Sequence, residues 1–218
     1  MRPRNAAELT CFTEGSGERT LYRPTAYRTI TNQAGPMLYS RDRMRAFIGL
    51  GGNLGDPAAS FAAVAAEMRQ IGHVVRTSSL YETAPRDMLD QPRFLNAAME
   101  LETDLEPVEL LFELKRIELS MGRDPQGARY GPRIIDLDLL AIDGRCVEDP
   151  ELDLIVPHPR LPERRFVLEP LAEIDPGLLP WRDCADLRQD VTVADLLATV
   201  AQQEVERVGD ASWADRIQ

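Results

Sequence analysis

Lysine is nearly absent. Of 25 basic residues, only Lys115 is a lysine, and it sits in a helical pattern, "LLFELKRIEL". A Walker A loop needs a lysine after its glycines, and a protein kinase needs one on a strand. Neither is available, so any phosphate bound here should be gripped by arginine. Cysteine is scarce too. Cys11, Cys146 and Cys184 form no CxxC pair and no zinc spacing, and nothing nearby marks an activated thiol. Free thiols in a reducing cytoplasm are the simplest expectation. No apolar run approaches the roughly 20 residues that span a bilayer, and the first residues lack the apolar core of a secretory signal. Membrane partners are therefore not expected. Positive charge is outweighed, with a net charge of −11. That excludes a general nucleic-acid binder but leaves room for a local basic pocket that takes a small anion such as a nucleotide. A dinucleotide fingerprint is missing as well. In "GLGGNLGD" (49–56) the pattern G-x-G-x-x-G fails at Leu54. These glycines instead allow the backbone to approach a neighbour or a ligand closely.

What remains is an ordinary globular composition, 44% hydrophobic and 28% charged, in 218 residues. Residues 1–44 are polar and lack periodicity, and they read as an N-terminal extension, disordered or preceding a natural start at Met44. Residues 45–180 read as the functional domain, and 181–218 as a C-terminal extension, mostly helical. Within the domain, a buried strand over 45–51 is followed by Asp56-Pro57, a helix cap with proline in the first turn. Phe61, Val64, Ala65, Met68 and Ile71 then recur at helical spacing. Strands are predicted over 73–83 and 94–103. Glu106-Pro107 opens a second helix with the stripe Leu110, Leu111, Leu114, Ile117 and Met121, and Gly122 stops it. A last strand lies in "GPRIIDLDLL" (131–140). The order β-α-β-β-α-β predicts an α+β, ferredoxin-like core with helices on one face of an antiparallel sheet. Further helices are predicted over 162–174 and 191–208.

The last strand carries Asp136 and Asp138. Side chains two apart on a strand share a face, with Cα atoms roughly 7 Å apart. A solvated strand face is one explanation, but Leu140 shares that face and no basic residue occupies a matching strand position. Paired carboxylates in such a setting suit Mg²⁺, which is held by carboxylates together with substrate phosphates. Upstream, "GRDPQGARYGPR" supplies Arg123, Arg129 and Arg133, whose forks match phosphate oxygens. Glu118 ends the preceding helix against its dipole. His158 lies among Arg160, Arg164 and Arg165, and Phe94 and Asn96 share a strand face. On the bare residues three readings stay open: a metal-dependent enzyme acting on a polyphosphate, a two-metal nucleotidyltransferase or nuclease, and a non-catalytic ligand-binding module of the same topology.

Taken together, "FIGLGGNLGD", "SSLYETAP", "QPRFLNAAMELET", "ELKRIELSMGR", "RYGPRIIDLDLL" and "VPHPRLPERRFVLEPLAEIDP" resemble the 6-hydroxymethyl-7,8-dihydropterin pyrophosphokinase family of folate biosynthesis. The resemblance spans about Arg45 to about Leu179. It implies transfer of the pyrophosphoryl group of ATP to a pterin hydroxymethyl group, with AMP released. It further implies that Asp136 and Asp138 hold two Mg²⁺ ions and that Arg123 and Arg133 act in catalysis. By the same resemblance, His158 and Arg164 contact the triphosphate and Glu118 lies near the nucleotide. Phe94 and Phe166 sandwich the pterin, and Thr83 and Asn96 hydrogen-bond its edge. The expected partners are these two small molecules alone, bound by a monomer. The chain departs from the family pattern at "DPQ" (124–126) and at Phe94, where some members have tyrosine.

Overall fold

The computed structural model describes residues 43–85, 88–124, 131–185 and 188–215. Arg129 and residues 1–42 of the expected extension lie outside them. Strand β1 (Met44–Gly52) is an inner strand of the main sheet. Its alternation decides what lies on each side of the sheet. Ala46, Ile48 and Leu50 face one buried layer, and Phe47 faces another. β1 pairs antiparallel with β4 (Phe94–Thr103) on one side and β5 (Asp136–Ile142) on the other. β2 (His73–Thr77) and β3 (Leu80–Thr83) both pair with β4. A short hairpin of β6 (Val147–Asp149) and β7 (Leu154–Val156) stands apart. The main sheet runs β5-β1-β4-β3, then a last strand β8 (Glu206–Gly209). The ferredoxin-like order is therefore present, extended by one strand.

Helix α1 (Pro57–Ile71) starts where the sequence places it, with Asp56 accepting the Ala59 N–H at 3.0 Å. Helix α2 (Pro107–Ser120) begins with Glu109 accepting the Glu106 N–H at 2.9 Å. Phe61, Val64, Leu110, Leu114 and Ile117 pack with Ile48, Met99 and Leu137 into one core layer. Apolar burial of this kind is the main favourable term in folding.

The expectation that helices cover one face only is not met. Phe47, Ala98, Leu140 and Ala141 make the second face apolar, and it too is covered. The cover consists of α3 (Arg165–Ile174) and α4 (Val193–Thr199). α3 contributes Leu168, Leu171 and Ile174, and α4 contributes Val193 and Leu196. The predicted strand over 73–83 breaks at Ser78 and Ser79. There the Ser78 hydroxyl accepts the Ala98 N–H at 2.9 Å and donates to Ser79 O at 2.8 Å. A side chain thus substitutes for part of the ladder.

The predicted helix over 191–208 forms only over Val193–Thr199, because Glu206–Gly209 adds to the edge of β3 instead. The 181–215 segment is continuous with the domain rather than separate from it. Arg165 helps to tie it down, donating to Ala201 O and Gln203 O at 2.7 and 2.8 Å. Cys146 and Cys184 are disulfide-bonded with Cα atoms 5.5 Å apart, so the expectation of free thiols fails for both. Their separation of 38 residues gave no sequence signal. Among the described residues, no helix is long and apolar enough to cross a membrane.

Trp213 ends this arrangement. It is fully buried against Phe61, and its indole N–H donates to Ser78 O at 2.8 Å. Trp213→Ala should therefore lower unfolding free energy by about 3–5 kcal/mol, the usual range for a buried large aromatic. Urea denaturation reads this directly, and a loss below about 1 kcal/mol would mean that the C-terminal segment is not anchored in the core.

Candidate active site

At one end of the second face the residues become small or polar. Gly49 and Gly51 on β1 lie directly across from Asp138 and Asp136 on β5. Across β1's other edge, Gly51 opposes Asn96 on β4. Gly52 is required by contact. A Cβ there would fall 2.5 Å from the Ile134 carbonyl oxygen, which has no room to withdraw. Gly51 leaves open space beside the carboxylates, with nothing nearer than 3.8 Å to a Cβ placed there. A cavity of about 330 Å³ occupies it, walled by Thr83, Phe94, Asn96, Phe166, His158 and the arginines described below.

The loops supply the cations that the strand lacks. Arg123 Nη1 lies 2.9 Å from Asp136 Oδ1, and Arg133 Nη1 lies 2.6 Å from Asp136 Oδ2. Arg164 Nη1 lies 3.8 Å from Asp138 Oδ2. The sequence reading found no basic partner at matching strand positions; the partners come from the turns before β5 and α3. Glu118 does not line the cavity. It is 1% exposed, behind the wall. One of its oxygens accepts the Leu137 N–H at 2.7 Å and also binds Arg123, and the other accepts from Lys115 Nζ at 2.9 Å. Glu118 thus orients Arg123 and fastens α2 to the start of β5.

Asn53, which sequence reasoning passed over, joins three loops. Its Oδ1 accepts the Arg133 N–H at 2.8 Å. Its Nδ2 donates to Gln91 Oε1 at 3.0 Å and to Pro92 O at 3.1 Å. A buried asparagine in a glycine turn was the available signal. Asn96 donates to Thr83 Oγ1 at 3.0 Å, which links two predicted ligand-edge residues. Phe94 and Phe166 both reach the cavity, and the Arg164 guanidinium lies 5.7 Å from the Phe166 ring centre. Lys115, Gln91 and Arg160 also line the cavity and were not predicted. Of the predicted set, only Arg129 falls outside the described residues.

His158 is held by its backbone N–H to Leu140 O at 2.8 Å, and its Nδ1 accepts the Arg160 N–H at 3.1 Å. In the neutral ring the proton is then on Nε2. Burial lowers its pKa below the usual 6.5; Asp138 opposes the shift, and Arg164 and Arg160 reinforce it.

The wall carries five cationic side chains, Lys115, Arg123, Arg133, Arg160 and Arg164, around two carboxylates. That is the reverse of the chain's acidic balance, and it suits a polyanion. Among the described residues, no cluster of three or more His, Cys, Asp or Glu side chains converges. A divalent ion at Asp136 and Asp138 would complete its shell with oxygens from outside the chain, as Mg²⁺ does beside polyphosphates. The residues fit that group: oxygen donors on one face, with no side chain on the strand opposite. Among the described residues, no serine or cysteine lines the cavity, so alignment and charge are what it offers.

The family model of 7,8-dihydro-6-hydroxymethylpterin-pyrophosphokinase (HPPK) matches residues 47–176, more than half of the chain. The chain belongs to this family. A pyrophosphokinase of Methylorubrum extorquens, 2-amino-4-hydroxy-6-hydroxymethyldihydropteridine pyrophosphokinase, is 40% identical over 166 residues, covering 75% of this chain and 98% of its own. The protein of the same name from Bacillus subtilis is 46% identical over 131 residues, or 59% of this chain and 77% of its own. A folate synthesis bifunctional protein of Pisum sativum is 50% identical over 128 residues, but these are 58% of this chain and 24% of that protein. The chain thus spans about a quarter of that bifunctional relative. A crystal structure of HPPK-DHPS with substrates superposes with a TM-score of 0.57 at 14% identity, over 74% of this chain and 44% of that one, which supports the fold. The HPPK match contains every predicted site residue, whereas β8 and Trp213 lie beyond it.

The His158 environment sets a pH dependence. Its folded pKa is depressed, so the unfolded chain takes up the proton first as pH falls below about 6.5. Stability should fall through that window, and His158→Gln should flatten this part of the curve. Denaturant titrations between pH 5 and 7 measure it, and an unchanged slope would mean that His158 titrates as a solvated side chain.

Proposed function

We propose that the chain transfers the pyrophosphoryl group of ATP to 6-hydroxymethyl-7,8-dihydropterin, releasing AMP. One observation carries this reading: a carboxylate pair on a glycine floor, ringed by arginines, opens onto a shelf bounded by Phe94 and Phe166. The two aromatics take the flat pterin between them. Thr83 and Asn96 address its polar edge. Arg123, Arg129, Arg133, Arg164 and His158 take the triphosphate. Glu118 acts through Arg123.

Asp136 and Asp138 would hold two Mg²⁺ ions. These supply positive charge to the triphosphate and make the reacting hydroxyl more acidic. Arg123 and Arg133 then turn from Asp136 toward phosphate oxygens, where their forks stabilise charge that develops during transfer. Glu118 and Asn53 keep the arginine backbones and stems in place, so alignment is established before the substrates meet. The Phe94 and Phe166 shelf keeps the hydroxymethyl group beside the carboxylates and excludes water from one side. The chain's partners are then these two small molecules, bound by a monomer.

Incubation with ATP, Mg²⁺ and the pterin should give AMP one-for-one with the pterin pyrophosphate. ADP as the nucleotide product would overturn pyrophosphoryl transfer. Asp136→Ala and Asp138→Ala should each lower turnover at least about a hundredfold while retaining the wild-type far-UV spectrum. Near-normal turnover in either variant would remove that carboxylate from the reaction.

A further inference from the structure

Two cavity residues, Arg164 and Phe166, frame the start of α3. Arg164 directly precedes the helix, and its side chain makes no capping hydrogen bond. The first N–H groups of a helix have no partner inside it. Here the Arg165 N–H donates to Gln203 Oε1 at 2.9 Å, across 38 residues of sequence. Gln203 Nε2 donates in turn to Glu163 O at 2.9 Å. One side-chain amide thus holds the backbone on both sides of Arg164.

The far end of this hold is itself anchored. Gln203 sits in the turn after α4, and its own N–H donates to Val200 O at 3.0 Å. Val193, Leu196 and Val200 fix α4 in the second apolar layer, with Leu168 and Leu171 of α3. Beyond the turn, β8 is paired to β3, the strand that carries Thr83. Arg165 adds a second link: Nη1 reaches Ala201 O and Gln203 O, and Nε donates to Glu169 Oε2 at 2.8 Å.

Gln203 does not line the cavity, and it lies beyond the residues that the family model matches. A cap alone would satisfy one N–H. The paired bonds at 163 and 165 do more, because they restrict rotation of the peptides on either side of Arg164. Its guanidinium is thereby kept 3.8 Å from Asp138 and 5.7 Å from the Phe166 ring centre.

We infer that Gln203 is a positioning residue for the transfer reaction, which directs Arg164 toward the triphosphate without touching a substrate. This rests on the pyrophosphokinase reading.

The test is a double-mutant cycle on the full-length protein, with steady-state kinetics taken well below the melting temperature. Gln203→Ala should lower kcat/KM about tenfold, as misplacement of a substrate-aligning group does. Gln203→Glu keeps the acceptor for the Arg165 N–H and should recover most of the loss. In an Arg164→Ala background the Gln203→Ala change should cost less than about twofold, because its effect passes through Arg164. Calorimetric affinity for ATP with Mg²⁺ on the same four proteins closes the cycle if Arg164→Ala turns over too slowly. Equal losses in both backgrounds, or a lower melting temperature with kcat/KM unchanged, would overturn the inference and leave Gln203 a helix cap only. A wild-type protein that forms no AMP would overturn the pyrophosphokinase reading and this inference with it, whereas wild-type AMP formation with an additive cycle overturns the inference alone.

Discussion

The molecule depends on a steric constraint at the end of β1. Between β4 and β5 that strand must pass the Ile134 carbonyl with no side chain at Gly52, and Gly51 and Gly49 lie opposite Asp136 and Asp138 and add none there. Because the backbone comes so close, Asn53 and Leu54 donate their N–H groups to Arg133 O at 2.9 and 3.2 Å. Asn53 then reaches the segment before β5 and the loop before β4 with one side chain. Three loops that are distant in sequence are thus aligned by contacts to a single turn. The catalytic reading needs that alignment, since pyrophosphoryl transfer relies on positioning more than on a covalent intermediate.

Electrostatics follow from the same geometry. Two carboxylates on one strand face repel each other, and partial burial makes leaving them unpaired expensive. Here the compensation comes from long, flexible arginines rather than from fixed neighbours on the sheet. The arginines that hold Asp136 line the same cavity as the carboxylates they neutralise. Glu118 extends this logic inward. Its own charge is buried, and the cations that neutralise it are the ones that line the cavity.

Much of this was legible in the sequence where the signal was local. Asp56-Pro57, the stripe Leu110, Leu114 and Ile117, and the shared face of Phe94 and Asn96 follow from turn chemistry and periodicity. The aspartate pair was legible because strands alternate. What was not legible depended on distant partners. The cover over Phe47 and Leu140 needs α3 and α4, and neither strand announces which helix will lie on it. β8 joins β3 across more than a hundred residues, so a short stretch containing Val208 read as helix until its edge partner was known. The break at Ser78 and Ser79 arises from a hydroxyl competing with the ladder, which a period-2 pattern cannot express. Lys115 reads in the sequence as one more helix residue, because its bond to Glu118 has meaning only with Glu118 buried beside Arg123.

The two tryptophans divide between the layers of the sheet. Trp213 lies against Phe61 in the layer of α1 and α2, and Trp181 lies in the layer of α3 and α4 with Arg188 4.0 Å from its ring centre. Neither lines the cavity. The chain therefore carries one indole on each side of its sheet, and its intrinsic emission is a composite of two separate interiors. A fluorescence change on adding nucleotide would report strain passed through the sheet or the helices, not direct quenching by the bound base. Replacing either indole in turn would show which side of the sheet responds.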